Sequence, residues 1–490
     1  MSAYKQQLKI YNSLSSKKEV FKSINKDLVG MYVCGPTVYN TVHLGNCRTF
    51  ISFDLIFRYL KHLGYNVRYV RNITDVGHLE ENEEDDKILK RAQIEKIEPM
   101  EVVQKYTNEF HLILDKFNLK KPNIEPSASG HIIEQIEMIQ EIIDAGYAYE
   151  KNGSVYFDTI TYNKKNNYGV LSNRDLVNVV NESRELEGTT EKNNQQDFAL
   201  WKKANKKHLM RWNSPWGYGF PGWHLECSAM SKKYLGEKFD IHGGGLDLKF
   251  PHHDCEIAQC KSLSNEIPAN YWLHTNMLTL NGKKMSKSTG NSVLPFEIFN
   301  GSNKIFSKSY SPMVLKFFIF QAHYRNTLDL SDEALKASEK AYEKIKTIPN
   351  ELNSIIPGNE NDCDAELWIK NCYNSLNDDF NSPKLIAEFF NLYKNIQEIK
   401  SKSKSIDSVN LKKFQEYFSI FYTDILGFDD EKSEKNQLDE VLDILLEIRD
   451  NERDKKNYEV SDLIRDKLSK LGININDKQW EEFLYFHLFF

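Results

Sequence analysis

Between Leu28 and Tyr39, the apolar and aromatic residues Met31, Tyr32, Val33 and Val38 form a run that Gly35-Pro36 ends, the pattern of a buried strand. The spacing then changes. Phe50, Phe53, Phe57 and Leu60 recur at i, i+3, i+7 and i+10, which predicts an amphipathic helix from Gly45 to Leu63 with Gly64 as its stop. Val67 to Ile73 returns to strand chemistry. This β-α-β order predicts a right-handed crossover in a parallel sheet, with the functional crevice at the carboxyl ends of the strands. His43 and Gly45 fall at that crevice.

From Tyr149 to about Met210 the chain is poorer in long apolar runs and rich in Asn, Lys and Glu, so it reads as an insertion between two halves of the sheet domain. Aromatic residues and glycine return from Trp212 to Asn291, where Pro221-Gly222-Trp223 and Gly243-Gly244-Gly245 mark tight backbone near a ligand or a turn. Beyond Tyr310 the pattern turns helical. Ser331 is placed to cap a helix whose stripe runs through Leu335, Ala341, Ile345 and Ile348 to a stop at Pro349, and Asn381 to cap another that continues through Leu385, Phe389, Leu392 and Ile396. A last helical unit is predicted over 438–471. The expected organisation is an α/β fold. A Rossmann-like parallel-sheet catalytic domain is split into residues 1–148 and 212–310 around an insertion, 149–211, and is followed by a helical region, 311–428, and a C-terminal unit, 429–490.

A length of 490 residues is too great for one core, and 40% hydrophobic with 27% charged residues is a soluble, globular balance. The first residues hold no apolar secretory core, and no apolar run approaches a membrane span, so a cytoplasmic enzyme is expected. A net charge of −6 argues against indiscriminate nucleic-acid binding but leaves room for a local basic face. Seven scattered cysteines do not form a disulfide framework.

The stretch Lys284-Met285-Ser286-Lys287-Ser288 follows the turn signal Asn281-Gly282 and precedes Thr289-Gly290-Asn291, so two ammonium groups lie in a glycine-bounded loop able to close over a triphosphate. Its counterpart is His43-Leu44-Gly45-Asn46, at the start of a helix whose free N–H groups and dipole favour negative charge. Either motif alone is weak, since a Lys/Ser-rich surface loop and a capping histidine are ordinary. Together they point to ATP, with His43, Lys284 and Lys287 aimed at charge that develops in the transition state. A second group of residues has zinc-ligand chemistry: Cys34 at the end of the first strand, Cys227, His252-His253, and Glu256 at i+4 from His252. Pro251 is placed to open the helix that carries them. His224, His242, Cys255 and Cys260 are rival ligands, and spacing does not separate them.

Met31 to Tyr39, the run Pro221-Gly222-Trp223-His224-Leu225-Glu226-Cys227-Ser228-Ala229-Met230, and Asp240 to His253 closely resemble cysteinyl-tRNA synthetase, a class I aminoacyl-tRNA synthetase. The resemblance extends from roughly Leu8 to Asp477 and includes Leu376 to Asn381 and Ser461 to Asp466. It implies one zinc ion held by Cys34, Cys227, His252 and Glu256, and an amino-acid pocket that includes Thr74 and Trp223. By the same resemblance ATP meets Gly45, Asn46, Gly244, Asp247 and Lys287, magnesium accompanies it, and the product is tRNA(Cys) carrying L-cysteine. A monomer is implied as well. A thiolate-binding metal also answers a physical problem: cysteine and serine are nearly isosteric, and a purely steric pocket separates isosteres poorly. Zinc prefers the soft thiolate to the harder hydroxyl. Discrimination at binding makes a hydrolytic editing domain unnecessary, and the insertion is short for one.

Three features depart from the family pattern. Asn46 stands where histidine is usual, Gly77 to Asp85 is an acidic insertion, and Glu481-Glu482 follows Trp480 where a basic residue is expected. Arg449, Arg453, Lys455, Lys456, Arg465 and Lys467 suggest a phosphate-facing surface near the C-terminus, with Trp480 a base-stacking candidate. Two rival readings are a ligase that passes activated cysteine to a small molecule and a zinc-stabilised RNA-binding protein without ATP chemistry. The long helical extension opposes the first, and His43, Lys284 and Lys287 oppose the second.

Overall fold

Leu8 and Ile10, buried at alternate positions, lead a hairpin in which β1 (Lys9–Asn12) pairs antiparallel with the mostly polar β2 (Lys17–Val20). The computed structural model describes residues 7–76, 87–174, 191–205, 208–285 and 291–429, with 444–446, 448–449, 451–453, 455 and 457–470. The chain divides into two units, Met1–Phe428 and Asp429–Phe490.

The first apolar run becomes β3 (Leu28–Val33), in which Val29, Met31, Tyr32 and Val33 are all buried because the sheet is covered on both faces. The strand is shorter than the run. Past Val33 the Gly35 amide donates to the Asn72 side chain instead of to a neighbouring strand, and Pro36 has no N–H to give. The helix Leu44–His62 follows, capped by His43 and ended before Gly64, whose φ of 87° suits glycine. β4 (Asn66–Arg71) then pairs parallel to β3, Leu28 opposite Asn66 and Val33 opposite Arg71.

The insertion is an antiparallel sheet of β5 (Ala148–Lys151), β6 (Ser154–Phe157), β7 (Phe198–Lys203) and β8 (Gly219–Pro221). Its last strand lies beyond residue 211, where the composition changes, because Trp201 pairs with Pro221 across β7 and β8. Phe157 and Phe198 stack in its core, which also takes in Cys255 and Ala258 of the helix Asp254–Ser264.

β9 (Phe239–Gly245) and β10 (Ala269–Thr275) complete the central sheet in the order β10-β9-β3-β4, parallel throughout. From the central pair the chain winds outward to β4 on one side and to β10 on the other. The carboxyl ends of β3 and β9 therefore border the crevice at which such sheets bind ligands. Gly243 packs in β9 directly against the Leu44–His62 helix: a Cβ there would lie 2.1 Å from the ring of Phe53. This glycine serves helix-to-sheet packing.

A small sheet follows, with β11 (Leu278–Leu280) between antiparallel β12 (Lys283–Lys284) and parallel β13 (Leu328–Leu330). The helices Pro312–Phe320, Asp332–Lys346, Ile348–Asn353, Ala365–Asn377, Ser382–Lys400 and Ser408–Ser419 share one hydrophobic core with the central sheet. Ser331 and Asn381 cap as expected. Pro349 does not end a single helix at Ile348. The first helix stops at Lys346, and the proline sits in the opening turn of Ile348–Asn353, where its missing N–H costs nothing. In the C-terminal unit, residues Tyr458–Lys470 form a helix. Among the described residues, no helix is long and apolar enough to cross a membrane.

Candidate active site

Four side chains converge at the crevice. Cys34 lies one residue past β3, with its amide donating to the Gly243 carbonyl at 3.0 Å. Cys227 lies in the first turn of the helix Leu225–Leu235. His252 and Glu256 stand one turn apart, but Pro251 does not open their helix: a π-type turn at Lys249–His253 precedes the α-helix Asp254–Ser264. The i, i+4 relation survives because His253 and Asp254 already have helical backbone angles. All four residues are buried, and their ligand atoms lie within 4.8 Å of one another.

The donor set fits a zinc ion. Two thiols, an imidazole and a carboxylate are the ligand types zinc accepts, and four is the number it takes. The Cys34 and Cys227 sulfurs are 3.9 Å apart, Cys34 Sγ is 3.8 Å from Glu256 Oε1, and His252 Nε2 is 3.2 Å from the same oxygen. Burial pushes the Cys34 thiol up to about 12 and the Cys227 thiol well above its ordinary value, so either ionises only with a cation beside it.

A second, overlapping group joins Cys34 and Glu256 to His242 and His253. The hydrogen bonds favour the first. His252 Nδ1 faces His224 Nδ1 at 2.9 Å, which turns Nε2 toward Glu256 Oε1 at 3.2 Å, among the other donors. Glu256 Oε2 accepts from His242 Nε2 at 2.8 Å, so the nitrogen that His242 would offer is already committed to positioning the carboxylate. His253 Nδ1 faces His274 Nε2 at 2.9 Å, and His274 Nδ1 faces Ser13 Oγ at 2.8 Å.

Thr74 and Trp223 border this cluster. The Trp223 ring is 4.7 Å from the His252 ring, half-buried. Thr74 is buried, its hydroxyl donating to Glu226 Oε1 and accepting from Asn72 Nδ2 at 3.1 Å. Asn72 in turn accepts from the Gly35 amide at 2.8 Å and lies 3.8 Å from Cys227 Sγ, which ties Thr74 to the backbone beside Cys34 and to the sulfur of Cys227. Burial pushes Glu226 up to about 8 against the pull of the Thr74 hydrogen bond.

At the start of the helix Leu44–His62, His43 is the cap. Its Nδ1 accepts from the Asn46 amide at 3.3 Å, and Asn46 Oδ1 accepts from the His43 amide at 3.2 Å, a reciprocal capping box. A Cβ at Gly45 would lie 2.9 Å from the His43 ring and push it off the cap. Gly244 is buried at the end of β9 against His253, and Asp247 is exposed just beyond that strand. Lys284 is exposed in β12, with its carbonyl accepting from Asn291 Nδ2 at 3.2 Å. The Leu44 amide donates to the Val293 carbonyl at 3.1 Å, so the flank of the lysine loop touches the start of the helix. Lys287 and the insertion Gly77 to Asp85 lie outside the described residues.

In the C-terminal unit Arg465 pairs with Asp462 at 3.1 Å and Asp466 at 3.5 Å, and Lys455 with Glu452 at 2.9 Å. Arg449 is buried, so it is not part of a phosphate-facing surface. Its neighbours Ile448 and Ile444 are exposed instead, a helical phase that the count of basic residues does not register. Lys456 and Trp480 lie outside the described residues. Sequence reasoning also missed Asn72, the positioning role of His242, and Arg48. Asn72 lies two residues before Thr74 with nothing local to mark it, and the sequence hints at Arg48 only as a charge on an apolar helix face.

The sheet order, the ligand cluster and the capped helix define a class of protein. The family model for the class I (C) tRNA synthetase catalytic domain matches residues 20–340, and that for the DALR domain matches residues 372–428. Solved structures share the fold. The methionyl-tRNA synthetase of Mycobacterium tuberculosis in complex with methionyl-adenylate is 12% identical with a TM-score of 0.55, over 81% of this chain and 89% of that one. The LeuRS of Agrobacterium radiobacter K84 in a ternary complex is 10% identical with a TM-score of 0.56, over 81% and 84%. The sequence relatives narrow the class. Cysteine–tRNA ligases of Bacteroides fragilis and Bacteroides thetaiotaomicron are each 51% identical, over 96% of this chain and 97% of theirs, and that of Chlorobaculum tepidum is 43% identical over the same shares. The chain belongs to the cysteine–tRNA ligase family.

Proposed function

We propose that the chain activates L-cysteine with ATP to cysteinyl-adenylate and pyrophosphate, then transfers the cysteinyl group to the terminal ribose hydroxyl at the 3′ end of tRNA(Cys), with AMP as the leaving group. The observation that carries this reading is the buried cluster of Cys34, Cys227, His252 and Glu256 at the crevice of a class I sheet. When bound there, zinc supplies a soft Lewis acid that prefers a thiolate to a hydroxyl. His242 holds the Glu256 carboxylate, His224 orients His252, and Asn72 fixes the backbone after Cys34. Trp223 walls the amino-acid pocket, and Thr74 lines it through the Asn72 and Glu226 contacts.

His43, at a helix N-terminus, supports the triphosphate together with Gly45, with Asn46 on the ATP side of the site holding His43 through the capping box, while Lys284 and Lys287 neutralise charge as pyrophosphate leaves. Gly244 and Asp247 receive the adenosine, and magnesium comes with ATP. The DALR domain and the helix that carries Arg465 serve tRNA, with Trp480 as a stacking candidate. The enzyme works in the cytoplasm as a monomer. The test is cysteine-dependent ATP–pyrophosphate exchange, charging of tRNA(Cys), and metal analysis of the same preparation. Stoichiometric zinc, exchange with cysteine and none with serine are expected; equal exchange with serine would overturn the selectivity mechanism.

A further inference from the structure

Arg48 lies one turn into the helix Leu44–His62, facing inward, and is 0% exposed. Among the described residues its guanidinium meets no carboxylate. Nη1 donates to the carbonyls of Asn276 at 3.1 Å and Met277 at 2.7 Å, and Nη2 to those of His323 at 3.2 Å and Asn326 at 2.5 Å. Its Nε is buried without a partner. A buried cation held only by carbonyl dipoles is expensive, and burial pulls its affinity for the proton down to about 10. Stability alone is a poor reason to keep such a group, since an apolar side chain of similar length fills the same space at no charge-burial cost.

The four carbonyls belong to two segments that feed the small sheet. Asn276 and Met277 lead directly into β11, which turns at Asn281-Gly282 into β12 and Lys284. His323 to Asn326 lead into β13, the parallel partner of β11. The segments also bind each other: the Asn276 amide donates to Tyr324 O at 2.8 Å, Asn276 Nδ2 to Arg325 O at 2.8 Å, and the Leu328 amide to Met277 O at 3.2 Å. On the far side, buried Asp379 accepts from Arg325 Nε at 2.7 Å and from the Tyr324 hydroxyl at 2.8 Å, which anchors the same loop to the helical region. The base of the lysine hairpin is thus clamped between the helix that presents His43 and the helices that follow.

We propose that Arg48 is a positioning residue for adenylate formation, setting the Lys284 hairpin against the helix N-terminus that carries His43. The proposal rests on the phosphate role assigned to His43 and Lys284 above. It touches neither the metal cluster nor the pocket, so its effect falls on one half-reaction. A displacement of about 1 Å between catalytic groups costs about 10²-fold in rate.

The experiment compares Arg48→Gln and Arg48→Lys with the unaltered full chain in four measurements: thermal melting, zinc content, ATP–pyrophosphate exchange, and single-turnover transfer from preformed cysteinyl-adenylate to tRNA. For Arg48→Gln, exchange falls about 10²-fold with a raised KM for ATP, while KM for cysteine, zinc content and the transfer rate stay unchanged. Arg48→Lys keeps the charge and part of the donor set, so it shows the same split at smaller size, and it decides the question if the glutamine variant does not fold. Equal losses in both half-reactions, or no loss in either lysine or glutamine variant, would overturn the proposal. Lys284→Ala in the same assays separates this from failure of the underlying reading: if it leaves exchange intact, the phosphate role of the hairpin is what fails.

Discussion

Cys34, Cys227, His252 and Glu256 are at most 6% exposed, and each is set by a strand end or a helix turn of the central layers. Lys284, by contrast, is exposed on a two-residue strand that pairs, among the described residues, with β11, whose leading segment Arg48 grips through the Met277 carbonyl. On the proposed assignment, the two ends of the site therefore meet different demands. A metal that must tell sulfur from oxygen needs its donors fixed within tenths of an ångström, which buried regular elements supply. Cations that meet a triphosphate need reach and access to solvent, and for them only the base of the hairpin has to be fixed.

If that division holds, damage at either end stays local. The largest effect is expected from Lys287→Ala. Loss of one group that stabilises developing charge lowers the rate of ATP–pyrophosphate exchange about 10²- to 10³-fold, with zinc content and the KM for cysteine unchanged. A matching rise in KM for cysteine would show that the two ends are not separate. Next comes Cys227→Ser. Outer-shell changes at metal sites cost about 10- to 100-fold in affinity, so removal of a ligand costs at least the upper end of that range. Metal analysis after dialysis against a chelator should find zinc lost from the variant and kept by the unaltered protein, with cysteine-dependent exchange falling in step and ATP binding retained.

The same contrast explains what the sequence made legible. Residue types brought the candidate ligands into view, but only the family resemblance picked Cys34, Cys227, His252 and Glu256 out of the rivals. By type alone His242 and His253 stayed equal rivals. Only the Nε2 contact of His242 to Glu256 shows it to be a support for a ligand, and tautomers and orientations do not appear in spacing. The helix from Leu44 to His62 was readable from one apolar stripe ended by Gly64. The antiparallel insertion was not. Its strands are 3 to 6 residues long, and β6 and β7 are separated by a long polar stretch, so no local period announces their pairing. Arg48 escaped notice for a related reason: its four partners lie more than 220 positions away, and only folding brings those carbonyls to it.

A smaller effect sharpens the metal side of the comparison. His242 is buried, stacks on Trp272 with ring centroids 4.4 Å apart, and donates to Glu256 Oε2. His242→Gln keeps a donor on a more flexible arm, so zinc affinity should fall about 10-fold, the low end for an outer-shell partner. Competition with a chromophoric chelator measures this directly. Exchange at saturating zinc should recover, which separates a weakened ligand from a missing one; unchanged affinity would mean that Glu256 is held without His242.

Asn46 is expected to give the smallest effect, although it is a departure from the family signature at the heart of the nucleotide end. In the structure its side chain completes the capping box, accepting from the His43 amide, while His43 accepts from the Asn46 amide in return. The residue thus keeps His43 in place through a helix-capping function that several side chains perform. Asn46→His retains an acceptor nitrogen at the same position and should leave exchange within about fivefold of the unaltered enzyme, since a cap contributes about 1 kcal/mol. Asn46→Ala removes the acceptor and should cost about 1 kcal/mol in stability, seen as a lower melting temperature with metal content unchanged. A loss of 10²-fold in the histidine variant would show that Asn46 meets the phosphates itself, and the nucleotide end would then be built as rigidly as the metal end.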